Sequence, residues 1–286
     1  MLSPIRRAVR RRRRSLQRSL HERVGSALRS SWQDVECAFV LSTGRTGTAT
    51  LTELFDHAPS VVATHEPNPQ LLRERMEARY EIAGQPDRYW DIFAEARGYP
   101  LLQAKRAGQQ YIETSARLTF FAPVLHARMP NARFLYSHRE PWDVVRSGMR
   151  RGWYRDHPND PFRIRPVPGE PAYETWDRMT RFEQICWYWA AYNRFALDFY
   201  DSVGGDRVLL VPSSRLFTGE ALPDIFSFLG LDLPPEQALQ QELNAQHNAQ
   251  HQAHFPEADD WTDEQREALR TYAGPEMERL GYTLPS

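Results

Sequence analysis

An apolar run, Ala38 to Leu41, passes without a break into Ser42-Thr43-Gly44-Arg45-Thr46-Gly47-Thr48, and a helical pattern carrying Leu51, Leu54 and Phe55 begins near Ala49. Strand, glycine turn and helix start in that order make an anion cradle. Glycine permits close backbone approach, several N–H groups converge, and the helix dipole favours negative charge. A phosphate-type ligand is the expected occupant, although a purely structural strand-turn-helix connection would also carry two glycines. A Walker A loop reads G-x-x-x-x-G-K-[ST]; here the lysine is missing and Gly44 and Gly47 lie too close together. An ordinary ATPase or kinase is therefore disfavoured. Lys105 is the sole lysine among 36 basic residues and is expected at the surface.

Beyond the loop, short apolar runs alternate with longer helical patterns. The runs are Val61 to Ala63, Tyr111 to Glu113, Arg133 to Tyr136 and Val208 to Val211. Leu118, Phe121 and Leu125 mark one helix, and Phe182, Ile185, Trp189 and Tyr192 to Phe199 mark a long aromatic one. Such alternation predicts an α/β fold with a parallel sheet covered on both faces. No fixed-period repeat is evident, which argues against solenoids and propellers. Residues 152–180, with five prolines, read as a long irregular excursion of the kind that forms functional lids or remains disordered.

Of the 286 residues, 41% are hydrophobic, enough for a sizeable core, yet no apolar stretch approaches the ~20 residues that span a bilayer. Cys37 and Cys186 show no metal-ligand spacing and are expected as reduced thiols in a cytoplasmic protein. The formal charge of −1 hides an asymmetry: residues 1–30 hold ten Arg and one Glu, a balance of +9. This segment, with Leu16, Leu20, Val24 and Leu28 at intervals of four, reads as a basic helical extension over residues 1–34. It lacks the apolar core of a secretory signal. Besides a merely solvated arm, it fits contact with an acidic membrane face or a protein; without a base-reading element, specific nucleic-acid binding is not expected.

A second motif narrows the field. In Phe134-Leu135-Tyr136-Ser137-His138-Arg139-Glu140-Pro141, a strand delivers Arg139 to its C-terminal end and Pro141 opens a helix that carries Ser147 two turns in. All strand ends of a parallel sheet open on one side, so Arg139 reaches the ligand held at the Gly44 loop. An Arg and a hydroxyl placed together suit a second phosphate.

With both motifs in this order, the chain resembles the sulfotransferases that use 3′-phosphoadenosine 5′-phosphosulfate as donor. Gly44-Arg45-Thr46-Gly47-Thr48 is similar to the family's 5′-phosphosulfate loop, in the Arg-containing form of carbohydrate and bacterial members. Arg139 with Ser147 is similar to its 3′-phosphate motif. Leu54-Phe55, Pro59, Glu66-Pro67, Phe226 to Gly230 and Leu280-Gly281-Tyr282 extend the likeness from about Cys37 to Tyr282. It is patchy over residues 67–110 and 150–180. Ala49 stands where a second Ser or Thr is usual, Thr50 where an aromatic often follows, and the late Arg-Lys-Gly segment of cytosolic members is absent after residue 240.

The resemblance implies a P-loop NTPase-like single domain over residues 35–286, with a central parallel sheet of about five strands flanked by helices. It implies sulfuryl transfer to a hydroxyl or amine of a carbohydrate, lipid or small molecule, without a metal. His247, His251 and His254 are accordingly not expected to bind one. Arg45 would neutralise charge between sulfate and leaving phosphate. Glu66, which follows the run Val61 to Ala63 on the open edge, is the first candidate for general base and His65 its rival. Arg150, Arg151, Arg155, Arg163 and Arg165 are candidates to meet an anionic acceptor. Two other readings remain: a nucleotide-dependent phosphotransferase, opposed by the missing Walker lysine, and a non-catalytic relative, opposed by intact Arg45, Glu66, Arg139 and Ser147.

Overall fold

The structure, a computed structural model, describes residues 34–245 and 254–284. Five strands form one sheet: β1 (Cys37–Ser42), β2 (Val61–His65), β3 (Gln110–Thr114), β4 (Ala132–His138) and β5 (Val208–Pro212). They lie in the order β2-β3-β1-β4-β5, and every neighbouring pair is parallel. All five coincide with the apolar runs predicted above, extended by one or two residues at their ends.

β1 is buried along its whole length because both faces of the sheet are covered. Cys37, Phe39 and Leu41 point into one core, and Ala38 and Val40 into the other. The larger core is built on a 23-residue helix, Arg181–Val203, whose start is fixed by a capping box between Thr180 and Glu183. Trp189 and Tyr192 of this helix are fully buried. The smaller core gathers Leu51, Leu54 and Phe55 of helix α1 (Thr48–Asp56) and Ile225 and Phe226 of a helix at Leu222–Leu229.

The helix expected around Leu118 to Leu125 is divided into a 3₁₀ segment, Ala116–Phe121, and an α-helix, Ala122–Arg128. Pro123 explains the break: it lacks an N–H and its ring crowds the carbonyl four residues earlier. The excursion at 152–180 contains only two short 3₁₀ turns, at Asp160–Phe162 and Trp176–Arg178. It is nevertheless anchored, since Trp153, Ile164 and Trp176 are buried. Of the predicted basic extension over residues 1–34, all but Asp34 lies outside the described residues, as do His247 and His251.

The chain leaves β1 for β2 and β3 on one side of it and then crosses to β4 and β5 on the other, so the crevice beyond the C-terminal end of β1 is a topological switch point. In open α/β sheets this is where ligands bind.

Candidate active site

The loop leaving β1 turns sharply onto α1 through left-handed residues: Gly44 has φ 82°, Arg45 67° and Gly47 85°. For Arg45 that conformation is strained, and such strain gathers at functional sites. Gly47 is required on two counts, since a Cβ there would stand 2.8 Å from Leu216 Cδ2 and 2.9 Å from Phe217 Cε1. The loop's carbonyls are held from the protein side. The Tyr188 hydroxyl donates to Thr43 O (3.0 Å), Arg139 Nη1 to Arg45 O (3.1 Å) and Ser137 Oγ to Thr46 O (2.9 Å). A trans peptide sets its N–H opposite its C=O, so the N–H groups of Thr46 and Gly47 face away from the last two anchors. The first turn of α1 has no side-chain cap, and Thr46 Oγ1 is buried without a hydrogen-bond partner. Unfilled donors at a helix start are what a phosphate or sulfate oxygen satisfies.

Arg139 leaves the end of β4 and lies beside this loop. Its Nε donates to Asp143 Oδ2 (2.9 Å), its guanidinium stacks over Phe217 (5.6 Å), and its own carbonyl accepts from Trp189 Nε1 (2.9 Å). Pro141 opens helix α2 (Pro141–Arg150) as expected. Ser147 sits half-buried on that helix, outside the residues that line the cleft described below.

Glu66 follows β2 directly and adopts φ 43°, again left-handed. Its Oε2 pairs with Arg117 Nη2 at 2.8 Å. The turn behind it rests on a buried bidentate pair: Arg97 Nε and Nη2 donate to Glu113 (2.7 and 3.0 Å), while Nη1 and Nη2 also hold the carbonyls of Pro69 (3.0 Å) and Pro67 (3.2 Å). A buried ion pair is favourable only when further hydrogen bonds complete it, and these two carbonyls and the Tyr111 hydroxyl (2.8 Å to Glu113) do so. His65 is exposed, with Nδ1 2.8 Å from Thr114 Oγ1.

These parts surround one cleft of about 510 Å³. It brings together Gly44, Arg45, Thr46, Gly47, Thr48, His65, Glu66 and Arg139; of the donor-binding and catalytic residues read from sequence only Ser147 is not among its lining, and of the arginines expected to meet the acceptor Arg151 and Arg163 line it whereas Arg150, Arg155 and Arg165 do not. Six arginines face it (Arg45, Arg75, Arg117, Arg139, Arg151 and Arg163) against a single carboxylate, Glu66. Burial, then Arg151 and Arg139, pull Arg45 down to about 10, so it stays charged at neutral pH in a field that invites anions. Burial also depresses Arg117, opposed by Glu66 and reinforced by Arg75.

Arg75 and Arg117 were not singled out in the sequence. Arg117 had left a signal, an arginine inside the apolar run Ala116-Arg117-Leu118-Thr119-Phe120-Phe121. Arg75 lies among surface-like charges and had left none. The excursion contributes Trp153, His157, Asn159 and Arg163 to the lining. Lys105 pairs with Asp34 and is not part of the cleft lining. Among the described residues no three His, Cys, Asp or Glu side chains group as metal ligands, and no helix is long and apolar enough to cross a membrane.

Comparison with known proteins gives the same architecture. The chain is similar to the sulfotransferase domain from the Synechococcus PCC 7002 olefin synthase, at 19% identity over 88% of this chain and 97% of that one, with a TM-score of 0.54. The sulfotransferase domain from the curacin biosynthetic pathway follows at 16% identity, 88% and 99% coverage and 0.53. Sulfotransferase STF9 from Mycobacterium avium follows at 13%, 87% and 78%, and 0.53. At such identities the likeness shows the fold, which is the P-loop NTPase-like α/β domain. No curated protein matches the sequence. A family model described as the sulfotransferase family matches residues 38–235. That match covers more than half of its length, and the chain belongs to the sulfotransferase family.

Proposed function

We propose that the protein transfers a sulfuryl group from 3′-phosphoadenosine 5′-phosphosulfate to an acceptor hydroxyl, without a metal. The observation that carries this reading is the union, in one cleft, of an uncapped glycine loop with a buried orphan hydroxyl at Thr46, and Arg139 tethered to that loop through Arg45 O. Gly44, Arg45, Thr46, Gly47 and Thr48 would hold the phosphosulfate end and Arg139 the 3′-phosphate. Ser147 would join Arg139 only if the nucleotide reaches beyond the cleft lining.

In the reaction the acceptor oxygen attacks sulfur while the bond from sulfur to the 5′-phosphate oxygen breaks. The hydroxyl proton passes to Glu66, and Arg45 balances the charge gathering on the leaving phosphate. Arg117 supports Glu66 in this role: it anchors Oε2, and no hydrogen bond engages Oε1 among the described residues. His65 is the alternative base, with Nδ1 engaged by Thr114 and its other nitrogen free to take the proton. A cytoplasmic setting belongs to the same proposal, supported by two free, buried cysteines. So does contact of the Arg-rich residues 1–33 with an acidic membrane or protein surface.

The test is thermal unfolding with 3′-phosphoadenosine 5′-phosphate in the presence of a chelator. A ligand at ~100 times its Kd contributes about 2.7 kcal/mol, a shift of several degrees. A larger shift with ATP and Mg²⁺ than with this nucleotide would replace the sulfotransferase reading with the phosphotransferase one.

A further inference from the structure

The cleft holds more positive charge than the donor loop uses. Arg45 and Arg139 serve that loop, and Arg163 is neutralised by Asp160 (2.9 Å) and covered by the Trp153 ring (4.3 Å). Arg75 differs. It is 7% exposed, its Nη2 donates to Phe162 O (2.8 Å), its Nε is buried without a partner, and among the described residues no carboxylate pairs with it. Arg117, 8% exposed, spends one nitrogen on Glu66 and leaves Nη1 buried and unpartnered. The two side chains come from elements packed on each other, the helix Leu72–Glu81 and the 3₁₀ segment Ala116–Phe121, and the Glu66 carboxylate favours the charged form of both.

A buried guanidinium with unfilled donors destabilises the free protein unless a partner completes it. The resident carboxylate cannot serve both cations and also act as a base. We infer that Arg75 and Arg117 bind an oxyanion carried by the acceptor, so that the acceptor is an acidic hydroxyl compound held by its carboxylate, phosphate or sulfate beside Glu66. This inference rests on the sulfuryl-transfer reading and adds the acceptor's chemical class to it. A guanidinium fork binds planar and tetrahedral oxyanions alike, and the test separates the two.

The protein is first saturated with 3′-phosphoadenosine 5′-phosphate, which fills the donor side. Inorganic phosphate, acetate and neutral acetamide are then titrated separately at constant ionic strength, and the melting temperature is followed. The inference expects a saturable rise with phosphate, with acetate or with both, and none with acetamide. The more effective anion tells a tetrahedral from a planar acceptor group. Arg75→Gln should weaken that anion about tenfold or more, Arg75→Lys should restore part of the affinity, and the response of both variants to the nucleotide should match that of the parent. A parent that responds to the nucleotide but to neither anion overturns the acceptor inference alone. An anion response unchanged in Arg75→Gln does the same. A parent that does not respond to the nucleotide overturns the donor reading, and the inference with it.

Discussion

Glu66 and His65 are neighbours on one strand end, yet their surroundings differ. Glu66 is held by Arg117 and backed by the Arg97–Glu113 pair, whereas His65 is exposed and leans on Thr114. A base must be positioned before its pKa matters. Glu66→Gln preserves shape and the turn but removes the basic lone pair, so turnover should fall ~10²-fold or more while nucleotide affinity stays nearly unchanged. His65→Asn should do less; the reverse ranking in steady-state kinetics would transfer the role to His65. For Arg139 the expectation concerns binding. Arg139→Ala should cost about 1.5–3 kcal/mol more for 3′-phosphoadenosine 5′-phosphate than for adenosine 5′-phosphosulfate, which lacks the 3′-phosphate. Because Arg139 also holds Arg45 O, some loss with both ligands is expected, and calorimetry of the pair isolates the difference. Equal losses would mean that Arg139 only shapes the loop.

At the scale of elements, the glycine loop is a joint between β1, α1 and the short helix Ser213–Phe217, and Gly47 is where they meet. Gly47→Ala places a methyl group against Leu216 and Phe217 in a left-handed residue. It should lower stability by about 1–3 kcal/mol and abolish nucleotide-induced stabilisation; a variant that melts and binds like the parent would show that the loop can rearrange freely. This joint was legible in the sequence because its meaning is local. A strand, two glycines and a helix start are contiguous, and the same holds for Arg139 and Pro141 after β4. β1 was legible for a related reason, since burial on both faces writes it as an unbroken apolar run, and the partly buried edge strands β2 and β5 still show as short Val and Leu clusters. What escaped was set by contacts between distant elements. Glu113 reads as the polar end of a run, but it meets Arg97 from another helix, and that pair fixes the turn carrying Glu66. Arg75 gains its significance from Phe162, 87 positions away. The excursion, read as a lid or a disordered stretch, is ordered through rings and guanidinium stacking around Arg163, a contact set with no sequence period.

Across the whole molecule, the C-terminal end of the described chain closes over the sheet edge that bears the site. Tyr282 lies beyond the final helix, Asp263–Arg279, and reaches back so that its hydroxyl sits 2.7 Å from His138 Nδ1, with its ring against Trp142 and Trp189. His138 is the last residue of β4, immediately before Arg139, so this contact joins the chain's end to the cleft's foundation. Burial pulls His138 from its ordinary 6.5 to about 4. The folded protein therefore keeps the imidazole neutral over a range in which the unfolded chain takes up a proton. With more protons bound in the unfolded state, stability must fall as pH drops from about 6.5 towards 4, by on the order of 3 kcal/mol from this residue. Above pH 6.5 both states are neutral here and the contribution is constant. His126 and His157 are displaced in the same direction by burial and nearby arginines, and add to the slope. His138→Gln retains an amide that can meet the Tyr282 hydroxyl but cannot titrate. Urea unfolding at pH 7.0 and 4.5 should then show a markedly smaller loss on acidification for the variant than for the parent. An identical loss in both would place the acid sensitivity in other groups and leave His138 solvated in the folded state.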